Sequence, residues 1–414
     1  MRNWPPVLLV LLCIPLPAQQ YIGAGGCASS NCHGGTVVAE ERINRIQGNE
    51  FALWSVPDKH SKASKVLSDA RSRRMAEILR IASPTTDKQC TSCHMAGSPE
   101  RIASDGVACE GCHGPAEKWL GPHTVKNSHA ASVAAGMIDT KDLQVRARTC
   151  LGCHLGDKDR VVTHEMIAAG HPDLVFELDT FSAAQPMHHR EPKPDEGNAL
   201  PRVRIWAVGQ AVALAEGMKH LARRASSQWP EFAELECYQC HHDLRAESWR
   251  IARGYAGRKP GALQVNLARW DVARVLITQA GGDQRAAVES AFNDLAAIVA
   301  AKPFDGAAIA QAASRVAQQS DALAARFAKQ NFNDAAARGM VKALLADVGR
   351  IAGSGAHSAE QATMALDALM HAVAAKDAGA LNAVTQLYNY LEHPSTYQPA
   401  EFADRFRRAA AAVN

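Results

Sequence analysis

Gly106-Val107-Ala108-Cys109-Glu110-Gly111-Cys112-His113-Gly114-Pro115 is the stretch that decides how the rest of this 414-residue chain is read. Two thiols stand one helical turn apart, and an imidazole follows the second at once. Cys-x-x-Cys-His is the pattern by which two cysteines add across the vinyl groups on one porphyrin edge, while the next residue turns its ring toward the iron. The thioethers then retain the haem even where little protein surrounds it.

Working outward, the arrangement recurs as Cys90-x2-Cys93-His94, Cys150-x2-Cys153-His154 and Cys237-x2-Cys240-His241, with a longer Cys27-x4-Cys32-His33 at the start. Apart from Cys13, every cysteine belongs to a pair, and every pair is followed by His. Disulfides of an exported chain, or zinc ribbons, fit the cysteine count but do not explain those histidines. The first pair is the exception to the spacing: four residues must loop out between its sulfurs, and there a disulfide or a metal site is the alternative. The expectation is five covalent haems c, with His33, His94, His113, His154 and His241 as proximal ligands.

Composition agrees. The chain is 47% hydrophobic and 21% charged, which excludes a disordered or collagen-like polymer, yet only 6% aromatic. The motifs occupy residues 27–241, too little protein to wrap five haems separately, so the haems must pack together and form much of the core themselves. That predicts a mainly α fold: a multihaem cytochrome c domain of short helices and long loops over 19–255, with one long helix over 205–224. Residues 254–261 form the joint. Residues 262–414 contain 44 alanines and no cysteine, and read as an Ala-rich α-helical bundle of four or five helices, with turns at Gly281-Gly282 and Gly353-Ser354-Gly355. Within it, Ser358 and Gln361 read as a capping box ahead of a Leu366, Leu369, Met370, Val373 stripe.

Residues 1–18 carry Arg2, an apolar run from Val7 to Leu16, and Pro17-Ala18, the three parts of a signal peptide cleaved after Ala18. The run is about half the ~20 residues needed to span a bilayer. The protein is therefore expected in the periplasm or otherwise exported, and not as an integral membrane protein. A net charge of +3 with no long basic run excludes nucleic acid as a partner. Two propionates on each of five haems outweigh that +3, so the net charge favours a positively charged partner.

Twelve histidines lie outside the motifs. His371 lies opposite the apolar stripe, His357 falls in a Gly/Ser turn and His393 precedes Pro394, so all three read as solvated. His60 follows Trp54 in a helix-like stretch, and His123 follows Trp119-Leu120-Gly121-Pro122. His164 and His171 flank a short helix that Gly170 and Pro172 would end, and His188-His189 close a Pro-containing loop. Met95, Met137, Met166, Met187 and Met218 are rival axial ligands, with core or loop positions as their plainer role.

Taken together, Cys27-Ala-Ser-Ser-Asn-Cys32-His33-Gly34, the 106–115 stretch, the 164–172 run and Cys237-Tyr-Gln-Cys240-His241-His242-Asp243-Leu244 resemble the multihaem c-type cytochromes of the cytochrome c-554 family over about the first 250 residues. The resemblance implies an exported electron carrier with closely stacked, mostly bis-His haems and with His60, His123, His164, His171 and His188 as distal ligands. His189 and His242 are the first substitutes. Its partners would be other cytochromes or a membrane quinol-linked complex. The alternatives are a multihaem oxidoreductase acting on a small nitrogen or sulfur compound at a five-coordinate haem, and a structural subunit. Every motif ends in His, with no catalytic replacement, which favours the carrier.

Overall fold

Carboxylate caps start two of the three α-helices that end on a motif histidine. In a computed structural model of the chain, the residues described are 20–36, 47–98, 105–189, 191, 193–195, 197–241 and 262–413. The leader at 1–18, His242 and the joint at 254–261 lie outside them. The first half forms α1 (Glu50–Ser55), α2 (Ala70–Leu79), α3 (Lys88–His94), α4 (Cys109–His113), α5 (Leu120–His123), α6 (His129–Ala134), α7 (Leu143–His154), α8 (His164–Ala169) and α9 (Leu178–Ala184). Asp69, Asp87 and Asp142 accept backbone N–H groups at the starts of α2, α3 and α7, and Thr163 does so for α8. Helices α3, α4 and α7 each end on a motif histidine, so the Cys-x-x-Cys-His turn is itself the last helical turn. Gly170, at φ 121°, stops α8 where a side chain would be strained and delivers His171 beyond it.

The long helix α10 runs over Pro201–Ser227, wider than the expected 205–224, because Pro201 supplies a pre-set first position. Most of its side chains are buried, Trp206, Val208 and Val212 completely. Gly209 lets it lie against α9: a Cβ there would sit 2.5 Å from Leu178 Cβ.

After the joint come seven helices, not four or five: α11 (Ala268–Ile277), α12 (Gly282–Ala301), α13 (Gly306–Phe327), α14 (Asp334–Ser354), α15 (Ala356–Val373), α16 (Ala378–Leu391) and α17 (Pro399–Ala409). The additional boundaries are made by side-chain caps rather than by Gly pairs. Asp305, Asn333 and Asp377 accept N–H groups from Ala308, Ala336 and Ala380. The capping box is also corrected. Helix α15 begins at Ala356 behind Gly355, so Ser358 and Gln361 are interior and buried. Ser358 donates to Asp271 (2.9 Å) and Gln361 to the Phe176 carbonyl (3.2 Å). Leu366, Leu369 and Met370 are fully buried as the stripe requires.

Packing is uneven along the chain. Before Ala147 the described residues include only seven buried apolar side chains: Ala24, Leu67, Ala76, Pro84, Ala108, Ala116 and Trp119. From Ala147 to Ala410 one apolar cluster is continuous, and α10 lies within it against α13 together with α7, α9, α11 and α15. The core thus crosses the joint, while the motif-bearing first third has almost none of its own. No β-strand occurs among the described residues, only the isolated bridges Asp195–Asn198 and Leu235–Val265.

Candidate haem sites

The structure sets each motif histidine opposite one other histidine. Ring centroids are 6.2 Å apart for His33 and His123, 6.5 Å for His94 and His171, and 6.4 Å for His113 and His188. They are 6.2 Å apart for His154 and His60, and 6.0 Å for His241 and His164. Two imidazoles on one metal, each at the usual metal–nitrogen distance of about 2 Å through Nε2, place their centroids roughly 6 Å apart. The spacing therefore fits an iron between each pair. The rings are near-parallel at His33/His123 (10°) and tilted at His164/His241 (31°), but close to perpendicular in the other three pairs, at 85–88°.

Six of these ten rings have Nδ1 engaged. His33 Nδ1 meets Glu50 Oε2 at 3.0 Å and His60 Nδ1 meets Asp58 Oδ1 at 2.9 Å. The Nδ1 atoms of His94, His123, His171 and His188 lie 2.9, 2.6, 2.7 and 3.3 Å from the carbonyls of Ala63, Leu120, Pro172 and Pro186. An Nδ1–H held by an acceptor fixes the tautomer whose Nε2 carries the lone pair. Burial, with the nearby His188 and His33, pushes His113 down to about 4, and burial with His60 does the same for His154. Both are neutral at pH 7, the form that binds a metal. His60 moves the other way, raised by its hydrogen bond to Asp58 against the effect of burial. Burial works to raise Asp58 too, but its bonds to His60 and Gln185 hold it at about 2.

The thiols of different motifs adjoin. The Cys27 thiol adjoins that of Cys109, which lowers Cys27 to about 7 and raises Cys109. Cys93 pairs in the same way with Cys153, which is lowered while Cys93 is raised. The first motif therefore lies against the third, and the second against the fourth. Phe176 and Phe181 flank His154 at 5.1 and 5.5 Å, Trp119 flanks His123 at 5.2 Å, and Phe232 flanks His164 at 5.8 Å.

Sequence reasoning missed Glu110. It sits between the cysteines of the third motif, is 2% exposed, and accepts the backbone N–H groups of Ile22, Gly23 and Ala116 at 3.0, 2.7 and 2.6 Å. A carboxylate inside a Cys-x-x-Cys turn was the available signal. Of the substitutes, His189 is bonded to Glu191 at 2.7 Å. Among the methionines, Met166 and Met218 are core and Met187 is exposed. His393 is exposed as expected. His371 is partly buried and ion-paired with Asp367 at 2.9 Å. His357 departs from its expected turn: it lies in the first turn of α15, 3.4 Å from Asp173, because the helix starts earlier than the capping box implied.

Beside the fifth motif, a small cleft is lined by His220, Glu234, Arg269, Asp173 and His357 among others. His220, which is buried, pairs with Glu234 at 3.1 Å. Asp173, Cys237 and His357 place one donor atom each within 4.8 Å of one another. Cys237 is at the same time a thioether position of the fifth motif.

Paired imidazoles beside paired thiols are a donor set suited to haem c, the thiols to its covalent attachment and the imidazoles to its iron. Comparison with known proteins agrees: residues 27–114, which carry the first three motifs, match the family described as cytochrome c554 and c-prime. The chain is similar to cytochrome c-554 of Nitrosomonas europaea, 29% identical over an alignment of 115 positions that covers 23% of this chain and 48% of that protein. The match thus spans about half the length of this curated relative. No solved structure matches the chain. No helix among the described residues is long and apolar enough to cross a membrane.

Proposed function

We propose that this chain is a periplasmic pentahaem cytochrome c that relays electrons between redox proteins, with the signal peptide at 1–18 removed on export. The observation that carries the reading is the one-to-one facing of five motif histidines with five others at 6.0–6.5 Å. Haem, when bound, supplies one-electron chemistry at its iron. The residues would then act as follows. Cys27/Cys32, Cys90/Cys93, Cys109/Cys112, Cys150/Cys153 and Cys237/Cys240 hold the porphyrin edges. His33, His94, His113, His154 and His241 ligate from one side and His123, His171, His188, His60 and His164 from the other. A metal closed on both sides by imidazole keeps its geometry between redox states and admits no substrate, which suits transfer rather than bond chemistry. The adjoining of motifs one with three and two with four supports exchange within each of those two pairs of centres.

The haem-binding part is proposed as 19–255 and the helical part as 262–414, with α10 packed into the latter's core. A second reading, an oxidoreductase acting on a small nitrogen or sulfur compound, is favoured by one observation: the polar cleft lined by His220, Glu234 and Arg269 beside the fifth motif. Carbon monoxide separates the two. The carrier reading expects an intact mass of the mature chain plus five haems, a low-spin spectrum, and little carbon monoxide bound by the reduced protein. Stoichiometric binding at one haem, with turnover of hydroxylamine or nitrite, would replace it with the enzyme reading.

A further inference from the structure

The net charge argued for a positively charged partner, but charge is not spread evenly over this molecule. Residues 59–80 carry seven basic side chains, Lys59, Lys62, Lys65, Arg71, Arg73, Arg74 and Arg80, against two acids, Asp69 and Glu77. All nine are exposed. The local excess is therefore larger than the +3 of the whole chain. Only Arg74 spends its charge on an acid, Glu77 at 2.8 Å. Arg71 and Arg73 hydrogen-bond to neutral carbonyls, those of Gly170 and Ser68, and of the two Arg73 also feels the Asp69 carboxylate. Two apolar side chains, Val66 and Ile78, stand among them 43% and 47% exposed. Exposed apolar side chains among charged ones are the residue types that a protein-docking patch combines.

This face is also attached to one particular site. The Ala63 carbonyl holds Nδ1 of His94 at 2.9 Å, and Arg71 Nε donates to Gly170, the residue before His171, at 2.9 Å. The segment thus supports both histidines of the second pair. His60, in the same segment, faces His154 of the fourth motif, whose Cys153 adjoins Cys93.

Resting on the electron-transfer reading, we infer that residues 59–80 form the docking face for an acidic redox protein, and that electrons enter or leave through the His94/His171 site. Long-range attraction at such a patch acts on the encounter rate and is screened by salt. The local field decides docking at short range, which is why the global charge balance misleads.

The test uses the full holoprotein and two probes of opposite charge, an acidic flavodoxin and a basic small cytochrome c. Stopped-flow electron transfer with the flavodoxin should slow steeply as salt rises, and that with the cytochrome should not. In Lys65→Glu/Arg73→Glu, checked for five low-spin haems, the flavodoxin rate at low salt should fall by about tenfold or more, the scale of an electrostatic steering effect. Lys329→Glu/Arg408→Glu, remote exposed positions, should leave it unchanged. An unchanged rate in the first variant, an equal fall in the second, or equal salt dependence for both probes would overturn the docking face while leaving electron transfer intact. Failure of the native holoprotein to exchange electrons with either probe would instead remove the electron-transfer reading, and this inference with it.

Discussion

Gly23 donates its backbone N–H to the buried carboxylate of Glu110 across 2.7 Å, joining the segment that leads into Cys27 to the middle of the third motif. Ile22 and Ala116 donate to the same carboxylate, and the Cys27 and Cys109 thiols adjoin beside it. Removing the acceptor leaves three backbone donors without it in a region that has little apolar core to compensate. Glu110→Ala should destabilise the holoprotein by about 1–3 kcal/mol, the usual cost of leaving buried donors unsatisfied. Glu110→Gln, which retains one acceptor oxygen, should lose less. Thermal unfolding followed at the haem absorption measures both. Equal stability of all three proteins would show that the first and third motifs are not tied through this carboxylate.

Ring orientation makes the ligand pairing testable without a crystal. Three facing pairs are near-perpendicular and two are not, and crossed imidazole planes give ferric iron a more anisotropic low-spin signal than near-parallel ones. Electron paramagnetic resonance of the oxidised protein should resolve both classes. His188→Ala should convert about a fifth of the haem to high spin with attachment intact, and the loss should come from the perpendicular class, since His188 faces His113 at 88°. Loss from the near-parallel class, or no change in spin, would reassign His188.

A pH dependence follows from Glu360, whose Oε2 is buried with no hydrogen-bond partner. Burial, with Asp173 nearby, pushes this carboxyl up to about 7 from its ordinary 4.5. Between pH 4.5 and 7 the native chain keeps a proton that the unfolded chain has released, so stability falls as pH rises through that window. Glu360→Gln should flatten the fall by an amount on the order of 2 kcal/mol between pH 4.5 and 8. Denaturant midpoints at the two ends of the window test it. Identical slopes in the two proteins would assign the dependence to other groups.

The sites were far more legible than the boundaries. Thiol and imidazole spacing is covalent geometry, so Cys109-Glu110-Gly111-Cys112-His113 could be read from five letters. The pairing of His113 with His188 could not, because it depends on how a Pro-containing loop returns across the molecule. Helix existence was legible in α8 and α10, where Gly170 and Pro201 mark an end and a beginning. The number of bundle helices was misjudged because Asp305, Asn333 and Asp377 turn the chain with single side-chain caps that look like ordinary surface residues. Ser358 read as a cap for the opposite reason: a capping pattern says nothing of Asp271, which reaches its hydroxyl from another helix.

The division of the core gives the last prediction. Before Ala147 the described chain buries only seven apolar side chains, far short of what offsets the ~1–2 kcal/mol per residue of backbone entropy that ordering costs. From Ala147 onward the apolar cluster is continuous, and α10 is part of it although it precedes the joint. Haem must therefore stand in for the missing core in the first part, whereas α10 and the helices after residue 268 hold each other. When the full chain is made without haem attachment, limited proteolysis should cut before residue 143 and spare Pro201–Ser227 together with the helices from Ala268. Hydrogen exchange should show the same division, with protection beginning near α7. Uniform protection of the haem-free chain would mean that the first part has a protein core after all, and cleavage within α10 would mean that the long helix depends on the haems and not on the bundle.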